Sequence, residues 1–109
     1  MAYDERLAER VRSLIEGKQG FSERKMFGGI AFMIHGNMCC GVVRNDLMVR
    51  LTPAQVVDGL KQPHARPMDF SGKPMKSMLY VGPAGVDADD DLEKWVRAAV
   101  RFVLTLPPK

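Results

Sequence analysis

Apolar residues at Leu7, Val11, Leu14 and Ile15 recur every three or four positions, which puts them on one stripe of an amphipathic helix over residues 4–16. Asp4 stands where an N-cap belongs, and Gly17 supplies a stop. From residue 26 to 34 the period shortens to two, with Ile30, Phe32 and Ile34 facing one way, so this segment reads as a strand. Gly36-Asn37 suits the positive φ of a two-residue hairpin loop, and residues 38–43 return as a second strand. Asn45-Asp46 turns the chain into a third strand over 47–51. There Leu47, Val49 and Leu51 share one face while Met48 and Arg50 share the other, a pattern that leaves one sheet face only partly covered.

Thr52-Pro53-Ala54-Gln55 is a helix start: Thr52 can cap free amides, Pro53 suits the first helical position and Gln55 completes a capping box. Gly59 weakens that helix and Pro63 forbids its continuation. Residues 65–70 and 76–81 predict two more strands joined through Ser71-Gly72-Lys73-Pro74, with Pro67 pushing the first of them to a sheet edge. Asp87, Asp89, Asp90 and Asp91 crowd the start of a last helix, where the dipole favours negative charge. Leu92, Trp95, Val96, Ala99, Phe102, Val103 and Leu106 form its apolar stripe, and Pro107-Pro108 ends it. The order is α-β-β-β-α-β-β-α. It predicts one two-layer α+β domain over residues 1–109, a mostly antiparallel five-stranded sheet with helices packed on one face.

At 109 residues the chain has room for one core. A net charge of +3 permits nucleic acid or an acidic protein as partner without demanding either. No apolar run approaches the roughly 18 residues of a membrane span, and the charged N-terminus lacks the apolar centre of a signal peptide. The two cysteines are adjacent, Cys39-Cys40, and strand alternation would send them to opposite faces, where they neither pair nor share a metal. A soluble, reduced, cytoplasmic protein without membrane contact is the expectation.

Gly28-Gly29 precedes a strand, whereas phosphate-cradling glycine loops precede helices, so it reads as a bend or bulge. His35 and His64 stand alone, with no Cys, Asp or Glu at metal-ligand spacing, and the aspartate run lacks the spacing of a calcium loop. Methionines fall mostly on or beside strands, where they fill core space or give an adaptable apolar surface for a protein partner. Cations gather in two groups: Lys94, Arg97 and Arg101 along the last helix, and Arg24, Lys25, Arg66, Lys73 and Lys76 in strand ends and turns. No acid–base pair, activated nucleophile or cofactor loop appears, so the chain predicts no enzyme, no catalytic residues, no cofactor and no metal.

Lys25-Met26-Phe27-Gly28-Gly29, the strand pair around Gly36-Asn37-Met38, Leu47-Met48-Val49-Arg50-Leu51, Gly72-Lys73-Pro74-Met75 and the closing helix with Leu92 and Trp95 together resemble the N-terminal domain of the TfoX/Sxy family of bacterial regulators. The resemblance runs along nearly the whole chain and implies a stand-alone short form of that domain. It implies a two-layer α+β unit of the same element order. It also implies a regulatory or adaptor role through protein–protein contact, in transcription or competence, with a transcription factor among the candidate partners. From the residues themselves, an apolar ring and bare glycine backbone ringed by cations make a contact patch of Arg24, Lys25, Phe27, Gly28 and Gly29, with Arg50, Lys73 and Lys76 nearby. The alternatives are low-specificity nucleic-acid binding through the same basic residues, or a small enzyme or ligand-binding domain. Monomer and homodimer both fit.

Overall fold

Asp4 starts the first helix as its sequence position predicts: one carboxylate oxygen accepts from the amides of Arg6 and Leu7 at 3.0 and 3.1 Å. The structure is a computed structural model and describes residues 3–26, 28–70 and 73–109, of which 69, 70, 73 and 74 are described by backbone alone. Helix α1 (Glu5–Ile15) buries Leu7, Ala8, Val11 and Ile15, but Leu14, expected on that stripe, is exposed at its edge. Strands β1 (Phe21–Met26), β2 (Gly29–Ile34), β3 (Asn37–Val43) and β4 (Asp46–Arg50) follow as a meander. Helix α2 (Pro53–Gly59) opens on the full capping box, with Thr52 and Gln55 bonding each other's backbone amides at 3.0 and 3.1 Å. Strands β5 (Ala65–Phe70) and β6 (Lys73–Val81), a 3₁₀ turn at Pro83–Gly85 and helix α3 (Asp89–Val103) complete the chain.

All neighbours pair antiparallel in the order β1-β2-β3-β4-β6-β5, so the sheet has six strands where five were expected. The extra strand is β1. Residues 26–34 do not form one strand: Met26 pairs with Gly29 across a turn in which Gly28 has φ +76°. Strand β1 lies at the sheet edge, and its residues 22–25 are polar and exposed, so no period-two burial marks it in the sequence. Its counterpart edge is β5, where Pro67 costs no ladder bond. Two hairpin loops also sit one residue earlier than their signals. His35-Gly36, with φ +53° and +81°, joins β2 to β3 as a type I′ turn. Arg44, with φ +53°, begins the β3–β4 loop. Asn37 is instead buried and donates its amide to the Pro107 carbonyl at 2.9 Å, holding the C-terminal segment against the turn.

The three helices pack on one face, where Phe32, Ile34, Val42, Leu47, Val49 and Leu79 meet Val11, Ile15, Val56, Leu92, Val96 and Ala99. The other face is not half bare, as the Met48–Arg50 pairing suggested. Met48 and Met68 are fully buried there with Ala31, Met33, Val43 and Met78, and Met26, Met38, Met75 and Tyr80 pack around them. Every described side chain in this second cluster comes from a strand. Unbranched thioether chains suit the filling of irregular core space.

Gly29 and Gly28 differ sharply in what a side chain would meet. A Cβ on Gly29 would lie 2.1 Å from the Val42 carbonyl oxygen, backbone against backbone, while one on Gly28 would meet nothing within 4 Å. Gly29→Ala should therefore lose about 3 kcal/mol or more in urea unfolding, because neither strand can yield. Gly28→Ala should lose only about 1–2 kcal/mol, the cost of a side chain at positive φ. Equal losses would contradict this account of the β1–β2 turn.

Candidate functional site

The sheet sets the contact-patch residues Arg24 and Lys25 apart from Arg50. Arg24 and Lys25 are exposed on edge strand β1, opposite Ala31 and Ile30, and Gly28 is exposed in the turn that follows. Gly29 is buried against β3, and Phe27 lies outside the described residues. Arg50 is three strands away on β4, and three residues further along than Leu47, which shares the transverse row of Lys25. Strand spacing and rise put the two roughly 17 Å apart. Arg50 is also engaged internally, donating to the Met38 carbonyl at 3.3 Å and lying 5.9 Å above the Phe102 ring. Lys73 opens β6 opposite Phe70, described by backbone alone, and Lys76 is exposed on the same strand. Arg66, grouped with these cations in the sequence, forms a bidentate pair with Asp46 (2.7 and 3.3 Å) and stacks 5.4 Å from the Tyr80 ring.

Cys39 and Cys40 do not point to opposite faces. Strand β3 carries a β-bulge, since Phe32 pairs with Cys40 while Met33 pairs with Met38, leaving Cys39 as the extra residue. Both thiols therefore enter the helix-side core, each with no exposure. Their contact, followed by burial, raises the Cys40 thiol well above its ordinary value. His35 is half-buried in the β2–β3 turn and His64 is exposed. Among the described residues no three His, Cys, Asp or Glu side chains are grouped to hold a metal.

Concave surfaces on the helix side include a cleft and a groove. One cleft of about 500 Å³ lies between α2, α3 and the Pro83–Gly85 turn, lined by Gln55, Gly59, His64, Lys94 and Trp95. Gly59 makes room for the indole, because a Cβ there would come within 3.3 Å of the ring and 2.8 Å of Leu79. The other is a groove of about 410 Å³ between α1 and α3. Ile15, Val96 and Val100 are buried along it, and Leu14 and Leu104 border it at 36% and 55% exposure. Lys18, Arg97 and Arg101 add cations to its lining. Arg97 pairs with Glu93 at 2.5 Å. The three cations of α3 are thus divided, Lys94 facing the cleft and the two arginines the groove. Leu104 carried no signal in the sequence, because it falls just past the helix end and off the core stripe.

A helix-backed antiparallel sheet with a groove between two of its helices defines a small α+β domain. The family model for the TfoX N-terminal domain matches residues 13–103, and the chain belongs to that family. Comparisons with curated proteins and with solved structures give no match. No described helix is long and apolar enough to cross a membrane.

The buried thiol pair makes a direct forecast. At pH 8 neither cysteine should react with a disulfide reagent in the native state, and both should react once urea unfolds the chain. Raising the folded-state Cys40 value also means that an unfolded thiol releases its proton above about pH 8.5 while the fold retains it, so stability should fall as pH rises from there. Rapid native labelling at Cys40 would overturn the assignment.

Proposed function

We propose that this chain is a non-enzymatic regulatory or adaptor domain that works by binding another protein, in the transcription or competence control that its family resemblance implies. The observation that carries the reading is the α1–α3 groove with its two exposed leucines. Isolated apolar residues on a surface need no explanation, but a pair bordering one recessed apolar floor is the pattern of a contact site. A cytoplasmic location and a transcription-factor partner belong to the same proposal. The edge-strand residues Arg24, Lys25 and Gly28 remain a second possible contact, and the test separates the two.

The tagged chain would be used for affinity capture from its source cells, with and without nuclease. The double variant Leu14→Ser/Leu104→Ser should lose the captured protein. Its thermal stability should stay within about 1 kcal/mol of the parent, because both side chains are exposed. Lys25→Glu should retain the captured protein. If Lys25→Glu abolishes capture and the leucine variant does not, the interface is on β1. Loss of all capture after nuclease treatment, together with a steep decline in nucleic-acid affinity with salt, would favour direct nucleic-acid binding instead.

A further inference from the structure

We infer that the α1–α3 groove receives an acidic, leucine-bearing amphipathic helix from a partner protein. The inference rests on the adaptor reading and adds the chemistry of the occupant. The floor is apolar and recessed, formed by Ile15, Val96 and Val100, so an occupant must offer apolar side chains that reach inward. Leu14 and Leu104 flank it and extend the apolar contact to its margins. Along α3 the groove runs from Glu93 to Leu104, about 16 Å at the helical rise, which is three turns of a docked helix. Anchors at i, i+3 or i+4, and i+7 of an amphipathic helix match such a length.

Charge selects the occupant further. Lys18, Arg97 and Arg101 face a single anion, Glu93, and that carboxylate is engaged by Arg97 at 2.5 Å. Lys18 and Arg101 have no ion-pair partner among the described residues. The rim is therefore net positive, and Asp or Glu flanking the leucines of a docked helix would meet it with opposite sign. A second copy of this chain fits poorly, because a two-fold interface would set Lys18 and Arg101 against the same cations of the other copy. An anionic membrane is disfavoured by shape, since a bilayer meets protruding side chains and this floor is recessed between two helices.

The test uses the ¹⁵N-labelled full chain and synthetic peptides of about 18 residues, long enough for the three turns the groove offers. One peptide carries a leucine stripe with glutamate flanks; its control has the same stripe with lysine flanks. The acidic peptide should shift amide resonances at residues 14–18 and 93–104 and bind at least tenfold more tightly than the basic one, with an advantage that shrinks as salt is added. Lys18→Glu/Arg101→Glu should reverse the preference. Leu104→Ser should weaken both peptides at an unchanged melting temperature. Equal affinity for both peptides, shifts centred elsewhere, or no acidic-peptide binding at millimolar concentration would overturn the inference. So would binding of anionic vesicles that displaces the acidic peptide, or self-association through these residues in sedimentation. If the leucine variant still loses its cellular partner while the peptides show no charge preference, the adaptor reading stands and the acidic helix falls.

Discussion

The bulge at Cys39 is the constraint on which the two-sided core depends. An uninterrupted β3 would alternate Cys39 inward, Cys40 outward and Gly41 inward, placing a glycine under the helices and Val42 among the methionines. The extra residue reverses the phase, so that Cys40 and Val42 join the helix-side core while Val43 joins the methionines. Gly41 then falls on the methionine side. There a Cβ would come within 2.6 Å of the Met48 terminal methyl and 2.4 Å of the Ile30 carbonyl, so the absent side chain is what lets Met48 lie flat across the strand. A one-residue phase error in a sheet buried on both faces would misplace every following side chain of the strand. The bulge also adds local twist to the strand.

Around that core, arginines tie the periphery inward. Arg12 on α1 reaches edge strand β1 through Glu23, with bonds of 2.5 and 2.9 Å, pairs with Glu9, and lies 5.6 Å above the Phe32 ring. Those carboxylates hold the guanidinium charged, well above its already high ordinary value. Arg10 draws α1 onto the segment before α3, donating to the Val86 and Asp87 carbonyls and to the Asp89 carboxylate at 2.9–3.1 Å. At the far edge, Arg66 on β5 crosses Tyr80 on β6 to reach Asp46 at the start of β4. The Arg10 and Arg66 clasps span elements distant in sequence, whereas the Arg12 clasp joins consecutive ones. The half-exposed Arg66 pair contributes modestly after solvent screening. Arg12 and Arg66 secure the two edge strands, the places where a sheet is most easily peeled open.

Much of this architecture was legible in the chain. Asp4, the Thr52–Gln55 box, the Leu92–Val103 stripe and the edge position of Pro67 all act through local chemistry that a sequence displays directly. What was hidden depends on partners across the sheet. Strand β1 is polar on both faces because it is an edge, and Leu14 looks like core until α3 is placed beside it. Cys39 and Cys40 read as opposite-facing under regular alternation, and only the register of β2 against β3 exposes the extra residue. The contact patch joins Arg24, Lys25, Phe27, Gly28 and Gly29, close in sequence, to Arg50, Lys73 and Lys76 on residue type alone. Arg24 and Lys25 are indeed neighbours on an exposed edge, but Arg50, half-buried on β4, is engaged by the Met38 carbonyl and the Phe102 ring. Its charge was visible in the sequence, whereas its engagement was not.

The same reasoning explains why a groove can persist between α1 and α3. Each helix needs only the part of its apolar stripe that faces the sheet, and for α1 this is Leu7, Ala8, Val11 and Ile15. Leu14 widens the stripe away from the sheet, and Leu104 lies past the end of α3, so neither gains the burial that rewards a core leucine. Replacing either with a polar residue would leave the sheet, the bulge and the arginine clasps untouched. Their side chains therefore add little to the stability of this fold as it stands. On the adaptor reading proposed above, an apolar pair whose burial the domain does not itself complete would acquire its energetic value from a bound partner. The cations at Lys18 and Arg101 would then set which sign of charge that partner carries.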